Sequence, residues 1–205
     1  MASAVRALLL DLGGVILTKG WGHISRQKAA KKFGYDYEES NERHEFALPI
    51  YEVGDLTLDE YLDMTVFYCK RDFTRDEYKD FMFAESEPMP DMMHLFSCLK
   101  TKYGLKAVMV SNEGRELQVH RIHKFDLESL FDMFVVSSFV GLRKPDPAIY
   151  RIALDQMLVP KEEVVYIDDT PVLAEVGRKL GIPTILHTDY ESTVNALADM
   201  GLSLQ

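Results

Sequence analysis

Short apolar segments alternate with helical patterns in the second half of this chain, and this alternation restricts the fold more than any other feature. Between the segments, apolar residues recur at helical spacing, as at Ile149, Ile152 and Ala153. Strands that alternate with helices pair in parallel, so the pattern predicts an α/β fold: a doubly wound parallel sheet with helices on both faces. The predicted strands are residues 5–10, 105–110, 133–136, 164–167 and 184–186.

Residues 18–86 interrupt this alternation, because they contain helix signals and no convincing strand. Thr57 and Thr74 are each followed three residues later by a glutamate, which is the capping-box pattern of a helix N-terminus. Apolar residues at helical spacing follow Thr57. The sequence therefore predicts an inserted helical segment, with a proline-containing return linker at residues 87–91.

Charge, hydropathy and cysteine usage exclude several classes of partner. The formal net charge of -10 opposes binding to nucleic acid, which requires clustered Lys and Arg. No apolar run approaches the roughly 20 residues that cross a bilayer, and the N-terminus reaches Asp11 too early for a secretory signal. Cys69 and Cys98 lie in no metal or redox motif. We expect a cytoplasmic protein with no nucleic-acid or membrane partner; the oligomeric state is left open.

Polar residues follow the predicted strands at the points where a functional site is expected. In a doubly wound sheet, ligands bind beyond the carboxyl ends of the strands. The candidates are Asp11 after the first strand, Ser111 and Asn112 after the second, Asp168 and Asp169 after the fourth, and Lys144 in a loop before a helix.

These residue types together predict phosphoryl-transfer chemistry. Three carboxylates in one crevice repel each other unless a hard cation holds them, and Mg²⁺ prefers oxygen ligands. A hydroxyl and backbone amides at a helix start suit phosphate oxygens, and a lysine adds positive charge. Each of these residues alone is also compatible with an ordinary turn or cap residue. Their order along the chain, as four groups that each follow a strand or lie in a loop, is more specific for phosphoryl transfer.

Four stretches of the chain resemble the four motifs of the haloacid dehalogenase-like hydrolase superfamily. They are LLLDLGGV, VSNEG, GLRKPDP and YIDDT, in the family's order and spacing. The resemblance implies a Rossmann-like core with a small α-helical cap inserted after the first motif, and an aspartyl-phosphate intermediate. The implied domains are a catalytic core of residues 1–17 and 87–205 and a cap of residues 18–86.

The resemblance also implies roles for individual residues. Asp11 would be the nucleophile and a Mg²⁺ ligand. The Gly13 carbonyl and Asp169 would bind the metal directly, and Asp168 through water. The remaining roles concern the phosphate: Ser111 and the amide of Asn112 would hold it, and Lys144 would bridge it to the nucleophile.

Within the superfamily, DLGGV and GLRKPDPAIY are similar to a bacterial sugar-phosphatase branch that includes glucose-1-phosphate phosphatases. We therefore expect a Mg²⁺-dependent phosphohydrolase that acts on a small phosphorylated metabolite, most simply a sugar phosphate. A metal-free 2-haloacid dehalogenase is less favoured, because two adjacent acids in the fourth motif serve a metal and not a halide displacement.

Gly13 departs from the family pattern. The first motif usually reads DxDG, and its second aspartate protonates the leaving oxygen and later activates water. Loss of a general acid/base typically costs about 10² to 10⁴ in rate. One interpretation is a slow or inactive protein that keeps the fold for binding. A second is that Glu113, His23 or His44 replaces the acid, and a third is a substrate with a good leaving group, such as an anomeric sugar phosphate.

Overall fold

The computed structural model of the chain describes residues 5–204 and contains one parallel five-stranded sheet. The strands are β1 Ala7–Leu10, β2 Lys106–Ser111, β3 Met133–Val136, β4 Val164–Asp168 and β5 Thr184–Leu186. They occur in the order β3-β2-β1-β4-β5, so the predicted α/β fold is confirmed. The chain moves outward from β1 to β3 and then crosses back to β4, which makes the β1–β4 boundary the switch point of the sheet.

Helices cover both faces of the sheet. They are α5 Pro90–Tyr103, α6 Arg115–Lys124, α7 Leu127–Leu130, α8 Ser137–Val140, α9 Pro147–Met157, α10 Pro171–Lys179 and α11 Tyr190–Asp199. The side chains of β1 alternate: Leu8 and Leu10 pack with α5, α7 and α11, whereas Ala7 and Leu9 pack with α9. All four are fully buried, as expected for a strand at the centre of a parallel sheet.

Residues 18–86 form four helices and no strand among the described residues. Both predicted capping boxes are present, with the Thr57 and Thr74 side chains each accepting from the backbone N–H three residues on. An aromatic-rich core holds the helices together, and Leu117 of α6 is part of it, so this segment packs against the sheet-bearing part. The helices are α1 His23–Phe33, α2 Tyr37–Glu52, α3 Leu58–Thr65 and α4 Arg75–Ala84.

The two connections between the helical segment and the sheet-bearing part lie side by side, and we call them the paired joins (residues 16–18 and 87–89). Thr18 N–H donates to the Glu87 carbonyl at 2.9 Å, and Met89 N–H donates to the Ile16 carbonyl at 2.9 Å. Leu17 and Pro88 form an antiparallel bridge between them. Leu17 also bridges Gly13, so the first join lies beside the residues that follow β1.

Across residues 5–204, the helices are too short or too polar for any of them to cross a membrane.

Candidate active site

Three carboxylates meet at the switch point of the sheet. Asp11 directly follows β1, and Asp168 ends β4, whose residue Ile167 lies opposite Leu10. The sheet register therefore places Asp11 and Asp168 next to each other, and Asp169 follows. Carboxylate oxygens of all three lie within 4.8 Å of one another.

Lys144 joins two of these carboxylates. Its Nζ lies 2.9 Å from Oδ1 of Asp11 and 2.7 Å from Oδ2 of Asp168, and the residue is 2% exposed. The Asn112 side chain fixes the lysine backbone: its Nδ2 donates to the Lys144 carbonyl, and its Oδ1 accepts from the Lys144 N–H, both at 2.8 Å. The side chain of Asn112 therefore positions Lys144, a role that sequence reasoning missed.

Burial and charge act against each other in this cluster. Burial raises the pKa of the Asp11 carboxyl, the Lys144 ammonium lowers it, and the Asp168 carboxylate raises it, with a net pKa of about 6. Burial would lower the pKa of Lys144, but Asp11 and Asp168 outweigh it and raise that pKa above its usual value. Lys144 is therefore a permanent cation, and the buried carboxylates need further positive charge beside them.

Asp168 is fully buried and its oxygens are engaged by the protein. Oδ1 accepts from the Thr170 N–H at 2.8 Å, while Oδ2 accepts from Lys144 Nζ and from the Tyr166 hydroxyl. A carboxylate with this many donors is held in one orientation.

Asp169 faces the cavity instead. Lys19 Nζ lies 2.7 Å from its Oδ2, and the lysine side chain is 65% exposed. Gly14 lies directly against the same carboxylate: its φ is +87°, and a Cβ there would lie 2.3 Å from Oδ2 of Asp169. A side chain at position 14 would therefore displace Asp169, which explains the glycine.

Gly13 has no such constraint. A Cβ at position 13 would meet Lys19 Cα at 3.6 Å, an ordinary van der Waals distance. The backbone therefore has room for a side chain at the position where the family usually has its second aspartate.

A cavity of about 370 Å³ lies above the carboxylates, between the sheet and the helical segment. This volume suits a small molecule. The sheet-bearing part contributes Asp11, Gly13, Ser111, Asn112, Lys144 and Asp169 to its wall. The helical segment contributes Trp21, Arg26, His44, Tyr51 and Glu52, among others.

Two of the predicted replacements for the acid are held by other groups. Glu113 Oε2 accepts from Arg121 Nη1 at 2.6 Å, and Arg121 is fully buried. His44 lines the cavity, but its Nδ1 is 2.6 Å from the Tyr61 hydroxyl, and burial lowers its pKa to about 3. A histidine with this pKa is neutral near neutral pH, so it is not the imidazolium that would serve as a general acid.

His23, the third predicted replacement, is exposed. Its Nδ1 lies 2.6 Å from the Tyr37 hydroxyl, and it lines a different cavity, beside the paired joins.

Glu52 was not found from the sequence. It is the last residue of α2, is 8% exposed, and lines the same cavity as Asp11. Its Oε2 lies 2.8 Å from Arg143 Nη2, so the helical segment and the loop that carries Lys144 meet at this ion pair. The sequence around Glu52 contains no motif that distinguishes it from the other acids of α2.

The haloacid dehalogenase-like hydrolase family model matches residues 5–181, most of the chain. The chain belongs to this family. A phosphorylated carbohydrates phosphatase of Thermotoga maritima is 27% identical over 184 residues, which cover 88% of this chain and 84% of that enzyme. Bifunctional epoxide hydrolase 2 of Sus scrofa is 24% identical over 95% of this chain, which spans only 38% of the larger enzyme.

A solved haloacid dehalogenase-like enzyme shares the fold. BT-2542 of Bacteroides thetaiotaomicron, in complex with magnesium and inorganic phosphate, has a TM-score of 0.76 and 20% identity; the match covers 93% of this chain and 99% of that one. The predicted Mg²⁺ cofactor agrees with these findings, because the three clustered carboxylates offer the oxygen ligands that a hard cation needs. The predicted family and fold are confirmed.

Proposed function

We propose that this hydrolase is a Mg²⁺-dependent phosphatase that forms an aspartyl-phosphate on Asp11 and acts on a small phosphorylated metabolite. The observation that carries the proposal is the ion-pair arrangement at the switch point, where Lys144 contacts Asp11 and Asp168 while Asp169 lines the cavity and pairs with Lys19. A nucleophilic carboxylate, a fixed cation and a set of metal ligands are the parts that phosphoryl transfer requires.

The donor set fits a magnesium ion. Asp11, Asp169 and the Gly13 carbonyl would hold it, and Asp168, whose oxygens are already engaged, would contact it through water. When bound, the ion would neutralise phosphate charge and the mutual repulsion of the carboxylates. Residues 18–86 would form the cap domain, and the rest of the chain the catalytic core.

The chain's own residues would bind and orient the phosphate. Ser111 ends β2 at the cavity wall, where its hydroxyl would donate to a phosphate oxygen. The side chain of Asn112 is used on Lys144, which leaves its backbone N–H for the phosphate. Lys144 would keep Asp11 ionised for attack and offset charge on the phosphate during transfer.

A phosphorylated sugar is the substrate class that we propose. Trp21, Tyr51 and several charged side chains surround the space beyond the phosphate site, and such a lining suits a compact polar molecule with an apolar face. The name of the Thermotoga relative, a phosphorylated carbohydrates phosphatase, supports this class. Gly13 supports the alternative of a slow or inactive binding protein, and the experiment below separates the two.

The test measures phosphate release from p-nitrophenyl phosphate and from a panel of phosphorylated metabolites. We expect turnover with Mg²⁺, and loss of turnover with EDTA and in Asp11→Asn. Asp155→Asn, an exposed acid on α9, is the matched control and should keep wild-type turnover. No turnover of any ester by the wild type would support the binding protein, and halide release from a 2-haloacid without metal would support a dehalogenase.

A further inference from the structure

We infer that Glu52 transfers the protons that an aspartate at position 13 would otherwise transfer. The inference rests on the phosphatase function proposed above. It deepens that function by naming the acid/base of the same site, which lies on the helical segment and not in the first motif.

The geometry fixes Glu52 in the cavity wall. Next to it, the ring of Tyr51 packs on Gly114, where a Cβ would lie 1.9 Å from the ring. Two residues later, Gly54 has a φ of +85°, and a Cβ there would lie 2.6 Å from the Ser138 carbonyl oxygen. The chain on both sides of Glu52 is therefore pressed against the start of α6 and against α8, which fixes the place of Glu52 in the cavity wall.

One oxygen of the Glu52 carboxyl is engaged by the protein, because Arg143 Nη2 lies 2.8 Å from the buried Oε2. The other oxygen, Oε1, takes part in no ion pair or hydrogen bond among residues 5–204, and Glu52 lines the cavity. Oε1 is therefore the oxygen that would bond to a substrate oxygen or to a water in the cavity.

The charges that face Glu52 leave both of its protonation states accessible. Burial raises the pKa of its carboxyl to about 7, against the opposing effect of Arg143. Glu113 and Asp11 also raise this pKa, and Lys144 lowers it. A group that must give a proton in one step and take one in the next works best with a pKa near the working pH.

Hydrolysis would proceed in two steps, and Glu52 would transfer a proton in each. In the first, an Asp11 oxygen attacks phosphorus, the bond to the ester oxygen breaks, and that oxygen takes its electron pair and the proton of the Glu52 carboxyl to leave as an alcohol. In the second, water attacks phosphorus and gives a proton to the Glu52 carboxylate. The bond between phosphorus and Asp11 breaks, its electron pair returns to Asp11, and inorganic phosphate leaves.

The test compares Glu52→Gln with Glu42→Gln, an exposed acid on the same helix. For an alkyl phosphate such as a hexose 6-phosphate, Glu52→Gln should lower kcat/KM by about 10² to 10⁴. For p-nitrophenyl phosphate, kcat/KM should fall less than about tenfold. Its leaving group needs little protonation, and kcat/KM depends only on the steps up to formation of the aspartyl-phosphate. Glu42→Gln should match the wild type on both esters.

Two further readouts separate proton transfer from a structural role. Rapid-quench kinetics of Glu52→Gln with p-nitrophenyl phosphate should show a nitrophenol burst, because the aspartyl-phosphate forms but is hydrolysed slowly. The alkyl-phosphate rate of the wild type should fall as the pH rises through about 7, and this limb should be absent in Glu52→Gln. If Glu52→Gln fails to fold, Glu52→Asp keeps the acid but shortens it, and it should show the same selective loss on alkyl phosphates.

An equal loss on alkyl and aryl esters, or no loss, in a folded Glu52 variant overturns the inference. Both results require a wild type that hydrolyses p-nitrophenyl phosphate. If the wild type hydrolyses no ester, the proposed function itself has failed, and the two failures are thereby distinguished.

Discussion

The two walls of the cavity differ in how fully their polar atoms are used. On the sheet side, Lys144, Asp11 and Asp168 bond to one another, and Asn112 bonds to the backbone of Lys144. On the helical side, buried polar atoms lack hydrogen-bond partners among residues 5–204. Three of these atoms belong to residues that line the cavity: Arg26 Nε, Tyr51 Oη and Glu52 Oε2, the last of which still pairs with Arg143.

This difference indicates which part of a substrate each wall of the cavity would bind. A network that is already bonded is rigid and suits a group that is the same in every substrate, such as phosphate with its metal. Unfilled donors and acceptors suit the variable remainder of a substrate, because a buried polar atom gains from a new partner. The following predictions test this division, from the largest expected effect to the smallest.

Lys144→Met should produce the largest effect, because it removes the cation from the bonded wall. Two buried carboxylates would then lack their partner, and breaking a buried pair in this way costs about 3–5 kcal/mol of unfolding free energy. Turnover should fall by about 10² to 10³ or more. Denaturant unfolding and phosphatase assays measure both.

The control is Lys179→Met, which removes an exposed ion pair with Glu175 and should leave the unfolding free energy close to that of the wild type. Wild-type turnover and stability in Lys144→Met would contradict the idea that this wall is a tightly coupled network.

His44 should make stability pH-dependent on the helical side. Its folded pKa of about 3 lies below the ordinary value of 6.5, so the unfolded chain binds the proton more strongly. The unfolding free energy should be greatest above pH 6.5 and fall by up to about 1.4 kcal/mol per pH unit as the pH drops from 6.5 toward 3. His44→Gln should flatten this dependence, as measured by urea unfolding between pH 4 and 7.

Gly13→Asp should place a second proton carrier on the sheet side. Position 13 has room for a Cβ, so the variant should fold. If Glu52 already supplies most of the acid catalysis, turnover of alkyl phosphates should rise only by about tenfold, less than the usual contribution of a general acid. In the Glu52→Gln background the same substitution should restore most of the lost rate. A failure to restore it would argue that Glu52 does more than transfer protons.

Tyr51→Phe should produce the smallest effect. It removes one unfilled hydroxyl from the helical wall while keeping the ring that stacks on Tyr61. The loss of one hydrogen bond to substrate should raise KM for a sugar phosphate by about five- to tenfold and leave KM for p-nitrophenyl phosphate unchanged. An equal rise for both substrates would indicate that the hydroxyl contacts the phosphate side instead.

The strands and the carboxylate cluster could be predicted because they depend on short-range rules. Apolar runs give the strands, and parallel pairing then places Asp11 beside Asp168 with no further information. The capping boxes at Thr57 and Thr74 were predictable for the same reason, since each involves residues three apart.

The helical wall could not be predicted, because it depends on how the helical segment lies over the sheet. Glu52 is one acid among several on α2, and only its contact with Arg143 distinguishes it. Arg121 is similar: in the sequence it looks like a basic residue in the last turn of a helix, yet it is fully buried against Glu113 and Ser86. Hydrogen bonds and ion pairs between side chains far apart in the sequence leave no periodic pattern of residues from which they could be predicted.

The paired joins mark where the helical segment would pivot in any rotation over the sheet, because its two connections are bonded to each other at Thr18–Glu87 and Ile16–Met89. Such a rotation would carry Tyr51 and Glu52 away from Asp11 together. Substrate entry and protonation of the leaving group would then be mutually exclusive. Glu52 would reach the leaving oxygen only after the cavity has closed over the substrate.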